Sequence, residues 1–151
     1  MSGVPFGLMG EMLQDGGNPW RGMLYGMTNR LPWGGTADPR PIWRAWDAFG
    51  MAGSRMIGYW VPDRPVQTGD ERVLATTYVR PGRALVAIAS WADAVVSITP
   101  AIDWAALGLD PARATVEARA IDGFQPARTF GPGEPIPVEP GRGWLLTVAE
   151  R

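Results

Sequence analysis

Residues 10–22 gather the side chains of this chain that are best suited to bind or transform a polar ligand. The stretch holds two carboxylates, an amide, a guanidinium and an indole, and several glycines surround them. Glycine permits tight turns and close approach of the backbone to a ligand, and loops held by a rigid scaffold are where binding groups concentrate. The stretch therefore predicts a polar, aromatic-lined pocket, with the candidate ligand-binding residues Glu11, Asp15, Asn18, Trp20 and Arg21.

Glu11 and Asp15 are the candidate acid–base groups, and Glu11 is the best candidate for a catalytic role. If residues 8–15 were helical, the two side chains would lie one turn apart, with Cβ atoms roughly 5–6 Å apart. A retaining glycosidase needs about 5–5.5 Å between its carboxyl groups and an inverting one about 6.5–9.5 Å. The sequence does not fix this distance. The alternative is a solvated Asp15 and a Glu11 that pairs with Arg21 or caps a backbone group.

The other polar groups of the stretch suit a sugar. Asn18 and Arg21 can hydrogen-bond sugar hydroxyls, and Trp20 can present its face to a sugar ring. The alternative is that Trp20 is a core residue whose N–H has found a partner. Weaker candidates for ligand contact are Tyr25, Trp33 and Tyr59.

Composition excludes several kinds of chemistry. All 14 basic residues are arginine, and the chain has no histidine and no cysteine. An ordinary zinc site, a Ser-His or Cys-His nucleophile and a Schiff-base lysine are therefore not expected. No phosphate-binding glycine motif is present either. We expect no cofactor and no metal, so that any catalysis must use carboxylates, helped by Tyr or Arg.

Net charge and hydropathy limit the classes of binding partner that we expect. The net charge is −1 and the arginines are scattered, whereas a nucleic-acid binder should show a basic face. No apolar run approaches the roughly 18 residues of a membrane span, and no signal-peptide pattern is visible. We expect neither nucleic acid nor membrane as a partner. The cellular compartment stays open.

The first 60 residues have a mixed α/β pattern. Residues 4–9 are apolar and predict a strand that ends just before Glu11, which in a (β/α)8 barrel is the active-site face; the alternative is a loop. Residues 23–27 predict a second short strand or a helical turn. Asp38 and the prolines after it open a helix that Gly50 can close. Within that helix Trp43 and Trp46 are expected to be core residues.

The second half alternates with a period of two, which is typical of strands. Residues 57–60 are predicted to be extended, residues 61–72 to be a linker, and residues 102–108 to be one helical turn. The predicted strands are 73–79, 84–91, 95–99, 115–121, 136–138 and 144–148. Trp144, Leu146 and Val148 share one strand face, and Trp91 and Trp104 are also expected in the core. Short strands joined by Pro/Gly turns indicate an antiparallel β-sandwich.

These patterns predict an α+β chain with three parts. Residues 1–60 are the partial C-terminal end of a barrel, 61–72 a linker and 73–151 a small antiparallel β-sandwich. A complete barrel needs roughly 250 residues, so the first part can supply only the last one or two βα units.

The chain also resembles a known family. Residues 4–13, 17–23 and 42–50 look like the C-terminal part of large bacterial glycoside hydrolase-like proteins related to glycoside hydrolase family 123, many of which are labelled only as a domain of unknown function. The β half is similar at residues 90–91, 102–109, 124–125 and 136–146. The match covers nearly the whole chain and is specific in the first half. In the second half it is generic, because many glycosidases end in such a sandwich.

The resemblance implies a (β/α)8 catalytic barrel followed by this sandwich, and activity on N-acetylgalactosaminides. Family members use an adjacent Asp-Glu pair at a barrel strand end in a substrate-assisted retaining mechanism. The only such pair in this chain is Asp70-Glu71 in the linker, so the role is not transferred to it. We therefore expect the catalytic pair upstream of Met1, and a chain that is inactive alone.

Two functions follow from these expectations. The first is the C-terminal portion of a carbohydrate-active enzyme. The second is a non-catalytic β-sandwich module that binds glycan or protein. The expected partners are a carbohydrate ligand and either a second copy or the missing barrel portion, since the apolar segments of the first half would otherwise lack neighbours.

Overall fold

The computed structural model of the 151-residue chain describes residues 17–28, 38–131 and 133–150. In this part of the chain the helices are α1 (Pro19–Met23), α2 (Arg40–Phe49) and α3 (Trp104–Leu107), with a 3₁₀ turn at Met51–Gly53. The strands are β1 (Arg55–Ile57), β2 (Val66–Gln67), β3 (Val73–Arg80), β4 (Arg83–Ser90), β5 (Val96–Ile98), β6 (Ala101–Ile102), β7 (Ala114–Ala118), β8 (Arg128–Phe130), β9 (Ile136–Val138) and β10 (Gly143–Glu150).

The strands form one large sheet and two small ladders. The large sheet has six strands in the order β1-β3-β4-β10-β7-β8, and β2 pairs with β6 and β5 with β9. Every pairing among the described strands is antiparallel. The predicted fold is confirmed at this level: a mixed α/β chain dominated by antiparallel sheet.

Strand β4 explains why the molecule has three layers. Its side chains alternate between two hydrophobic clusters, with Val86 and Ile88 on one face and Leu85 and Ala87 on the other. All four are at most 4% exposed. Because both faces of this strand are apolar, each must be covered by another layer.

One face is covered by the small ladders and α3, and we call this packing the inner core. It joins Val86, Ile88 and Leu146 of the large sheet to Ile136 and Val138 of β9, together with other residues of the ladders and of α3. The side chains of Trp104 and Trp144 pack against it while partly buried. This face is the β-sandwich, and Trp144, Leu146 and Val148 share it as predicted.

The opposite face is covered by α1 and α2, and we call this packing the outer core. Met23 and Leu24 at the end of α1 and Ile42 of α2 are at most 1% exposed and lie against Leu85 and Leu145 of the sheet. Burying an aliphatic or thioether side chain of this size contributes about 1.5–3 kcal/mol. The two helices are therefore held by the sheet and form part of the hydrophobic core.

The predicted helix after Asp38 is confirmed as α2. It ends at Gly50, whose φ of 81° is left-handed, and a Cβ there would lie 1.6 Å from the Nη1 atom of Arg80. Arg80 Nη1 donates to the Gly50 carbonyl at 2.7 Å, and Arg83 Nη2 donates to that of Phe49 at 2.8 Å. Two cations thus complement the negative end of the helix dipole. Asp38 accepts the Arg40 N–H at 3.0 Å, although the N-cap residue itself is a proline.

The expected core positions of α2 are only partly occupied by its tryptophans. Trp46 is half-buried in the outer core. Trp43 is also half-buried and donates its Nε1–H to Thr28 Oγ1 at 2.6 Å. The most buried positions of the helix belong to Ile42 and Phe49.

Several boundaries differ from the sequence-based prediction. Residues 19–23 are helical and 24–26 form a turn, so of the two alternatives for residues 23–27 the structure agrees with the turn and not with the strand. The predicted strand 115–121 ends at Ala118, and β1 covers Arg55–Ile57 before the chain turns. Residues 4–9 lie outside the described residues. The three-part division at 60 and 72 stays a prediction. No helix in the described ranges is long and apolar enough to cross a membrane.

Candidate functional site

Of the predicted pocket residues, Asn18, Trp20 and Arg21 lie in the described part of the chain, on and just before α1. Glu11 and Asp15 lie outside it, as does Trp33. The contacts below show what holds α1 in place, while the assignment of these residues to ligand binding stays a prediction.

Asn18 caps α1 and ties it to the far end of the chain. Its backbone is extended, and its Oδ1 accepts the N–H of Arg21 at 3.1 Å, as expected of an N-cap asparagine. Its Nδ2 donates to the Gly141 carbonyl at 2.7 Å. Both polar atoms of the amide are thereby used, and the start of α1 is fixed to the turn before β10.

Arg21 reaches the end of β4. Its Nε and Nη2 atoms donate to the Ser90 carbonyl, each at 3.4 Å, and its guanidinium lies 4.9 Å from the centre of the Trp91 ring. Trp91 was expected in the core, and this prediction is wrong because the residue is 36% exposed. Trp91 follows the last residue of β4, so the alternation of side chains along the strand no longer determines which way the Trp91 side chain points.

Trp20 faces the sheet. Its ring meets the Phe124 ring edge-on, with centroids 6.2 Å apart. The residue is 5% exposed, so most of its surface is covered by protein.

Two hydroxyls of β3 complete the attachment, and the sequence analysis did not identify them. Thr76 Oγ1 donates to the Leu24 carbonyl at 2.8 Å, and the Tyr78 hydroxyl donates to the Met23 carbonyl. Thr76 is 0% and Tyr78 3% exposed, and burial raises the pKa of the Tyr78 phenol above its ordinary value. The available signal was a pair of hydroxyl-bearing residues, Thr76 and Tyr78, inside the predicted strand 73–79, since polar groups that become buried need partners.

A second aromatic group lies beside α1. Tyr25, Tyr59 and Trp60 pack against one another, and the hydroxyls of the two tyrosines are 2.7 Å apart. Burial and the hydrogen bond with Tyr59 raise the pKa of Tyr25. Tyr25 is 8% exposed, whereas Trp60 is 47% exposed.

The carboxylate of Asp70, in the adjacent Asp70-Glu71 pair, is unsuited to act as a general acid. Asp70 Oδ1 and Oδ2 accept from the side chain of Arg72 at 3.1 and 2.8 Å. This hydrogen bonding lowers the pKa of the Asp70 carboxyl to about 2. A general acid near neutral pH needs a raised pKa, so Asp70 does not have the pKa of a general acid.

Two cavities of the described residues are lined by carboxylates, and two of these carboxylates bond to other protein groups. A largely apolar cavity of about 230 Å³ opens from the inner core, and its one carboxylate, Glu134, accepts from Arg128 at 3.0 Å. An open cleft of about 360 Å³ is lined by Asp63 and Asp103, and Asp103 accepts the Ala106 N–H at 2.9 Å as the cap of α3. Within the described residues no group of three or more acidic side chains could hold a metal ion.

Comparison with known proteins identifies two segments. The family model described as glycoside hydrolase 123, C-terminal domain, matches residues 38–149, and the one described as glycoside hydrolase 123, TIM-barrel domain, matches residues 1–32. The resemblance to the C-terminal part of such proteins is thereby confirmed. No curated protein matches the chain, and no solved structure does.

Proposed function

The chain belongs to the glycoside hydrolase 123 family, and from this premise we propose that it is the C-terminal portion of a carbohydrate-active protein. In this proposal the β-sandwich braces the last barrel segment, and that segment contributes side chains to a saccharide pocket. The sugar class we propose is the N-acetylgalactosaminide expected from the family resemblance.

The attachment of α1 to β3 carries this proposal. Helix α1 lies in the segment that matches the barrel model, and β3 lies in the segment that matches the C-terminal model. Thr76 and Tyr78 donate to consecutive backbone carbonyls at the end of α1. Removing one partner of a buried hydrogen bond leaves the other partner unsatisfied, and this lowers stability by about 1–3 kcal/mol. Such a junction supports a rigid connection between the two segments, which a pocket on the first one requires.

The contacts of the side chains on and just before α1 support two different roles within the stretch 10–22: some residues anchor the loop and others reach the ligand. Asn18, Trp20 and Arg21 are bound by the sandwich, and we propose that they form the fixed end of the pocket loop. Glu11 and Asp15 are then the groups proposed to reach the saccharide. Positioning by a supporting shell of this kind is what keeps binding groups in a productive geometry.

The proposal assigns no catalytic pair to the sandwich. The carboxyl group of Asp70 is committed to Arg72, and retaining hydrolysis needs two groups held in register. The 151-residue chain is therefore expected to be inactive alone, with the family's Asp-Glu pair supplied by a part of the barrel that this sequence does not contain.

The substitution Thr76→Val tests the brace. It keeps the shape of the side chain and removes the hydroxyl that donates to the Leu24 carbonyl. In the variant, α1 should therefore open more often than in the wild type, and the opening of the sheet should change less. Hydrogen exchange of the Gly22 and Tyr25 amides, which bond to Asn18 and Gly22 carbonyls, should accelerate at least about tenfold, the equivalent of about 1.4 kcal/mol. The control is Thr129→Val on β8, where the residue is exposed. Unchanged exchange of these amides in Thr76→Val would refute the brace.

A second candidate function is a non-catalytic β-sandwich module that binds glycan or protein. The observation that favours it is the 47% exposure of Trp60, because a large exposed indole is typical of a contact surface.

A further inference from the structure

We propose that Trp60, supported by Tyr25 and Tyr59, is a stacking platform for the apolar face of a pyranose ring. Its three residues lie outside the stretch 10–22 in sequence, and no family match assigns them a role. The proposal rests on the proposed function for the class of its ligand, a saccharide.

The Trp60 ring is held by three neighbouring groups. It stacks on Tyr25 with ring centroids 5.8 Å apart and planes at 11°, and it meets Tyr59 edge-on at 5.2 Å. Gly58 lies directly beneath it, since a Cβ at that position would be 2.4 Å from two ring atoms. Two aromatic side chains and a backbone segment therefore fix the indole before any ligand arrives, which lowers the entropic cost of binding.

Part of the ring surface is available. Trp60 remains 47% exposed in spite of these contacts. An electron-rich ring face attracts the weakly positive C–H groups that a pyranose displays on one side. A flat, fixed and half-covered indole suits this ligand geometry.

A hydroxyl pair beside the platform can recognise the polar rim of the sugar. The Tyr25 and Tyr59 oxygens share one hydrogen bond of 2.7 Å, and in the described part of the chain neither hydroxyl has a further partner. Each phenol has one proton and can also accept, so the pair keeps one unused O–H donor.

The size of the exposed surface favours a sugar over a protein partner. Among the described residues, only Met56 accompanies Trp60 as an exposed large hydrophobic residue on this side; the two others, Trp91 and Val95, lie beyond the end of β4. A stable protein interface covers about 800 Å² per partner, far more than one indole and one thioether side chain supply. One or two sugar rings match the available area.

The experiment is a titration of the purified chain with methyl N-acetyl-β-D-galactosaminide and methyl β-D-galactopyranoside, followed by ligand-detected NMR. At least one glycoside should bind, and Trp60→Ala should weaken its Kd at least about tenfold. Gly58→Ala keeps the indole and displaces it, so it should weaken binding as well. Val95→Ala, an exposed apolar control, should leave Kd unchanged.

Three results would overturn the platform. The first is that neither glycoside binds the wild-type chain. The second is that binding is lost in Arg21→Ala and retained in Trp60→Ala, which would place the sugar at the stretch 10–22. The third is that Trp60→Ala changes only concentration-dependent sedimentation, which would make the surface a protein contact. The brace is judged separately by hydrogen exchange in Thr76→Val, so either proposal can fail while the other stands.

Discussion

The hydrogen bond by which Tyr78 attaches α1 to the sheet depends on the protonation of its phenol, and therefore on pH. The composition of the chain makes this dependence measurable, because few other groups titrate in the same pH range. The chain has three tyrosines, and it lacks histidine, cysteine and lysine. The α-amino group titrates near 8 and arginine above about 12. Between about pH 9 and pH 12, protons therefore leave only the tyrosines.

The direction of the effect follows from burial. Tyr78 is 3% exposed and donates to the Met23 carbonyl, and burial raises its pKa above the ordinary value of 10. Above pH 10 the folded state then holds a proton that the unfolded state has lost. The stability that Tyr78 contributes is fully present below pH 10 and is lost as pH rises towards its folded pKa. The free energy of unfolding should fall by up to about 1.4 kcal/mol per pH unit for this group.

The substitution Tyr78→Phe removes both the proton and the hydrogen bond. At pH 7 it leaves the buried Met23 carbonyl without its donor, which should lower the free energy of unfolding by about 1–2 kcal/mol. Above pH 10 the variant lacks the titration of residue 78, whereas Tyr25 and Tyr59 titrate in both proteins. Its deficit relative to wild type should therefore shrink by about 1.4 kcal/mol per pH unit and vanish near pH 11.

Urea unfolding followed by tryptophan fluorescence at pH 7, 9, 10 and 11 measures this convergence. Thr76→Val is the matched control: it loses a hydroxyl bound to the neighbouring Leu24 carbonyl, and it changes no titratable group. Its deficit should stay constant with pH. A Tyr78→Phe deficit that is equally constant up to pH 11 would refute the argument, because the phenol would then titrate alike in both states.

Three further predictions concern the chain as a whole. The 151-residue chain should not hydrolyse 4-nitrophenyl N-acetyl-β-galactosaminide; turnover that disappears in Glu11→Gln would show the opposite and make Glu11 catalytic. Limited trypsin digestion should cut first within residues 61–72, and early loss of the sheet with this segment intact would count against the three-part division. At micromolar concentration the chain should self-associate in sedimentation experiments, whereas a monomer that binds no hydrophobic dye would show that residues 1–60 need no neighbour.

The elements with a long periodic pattern could be predicted from sequence. Strands β3 and β4 followed from alternation and from the Pro81-Gly82 turn, and the structure pairs Arg80 with Arg83 around that turn. Helix α2 followed from apolar residues at helical spacing and from Gly50. In each case the residues that decide the element are neighbours in sequence, so their pattern is sufficient.

The two-residue strands β2 and β6 could not be predicted, because two residues show no period. Strands β2 and β6 are held by the pairing of Val66 with Ile102, residues far apart in the chain. They exist because the inner face of β4 must be covered. This requirement comes from the tertiary packing of the large sheet and leaves no local mark on residues 66–67.

The side-chain contacts of the candidate site could not be predicted from sequence either. An asparagine amide or a guanidinium that suits a sugar hydroxyl suits a backbone carbonyl equally well, since both are hydrogen-bond acceptors. Asn18 finds its acceptor at Gly141, and Arg21 finds one at Ser90, so residue type and spacing could not reveal either contact. The converse holds for Trp60, which remains 47% exposed although it contacts Tyr25, Tyr59 and Gly58. A side chain is left available to a ligand only when the rest of the fold has not already satisfied it, and that property is set by contacts between distant residues.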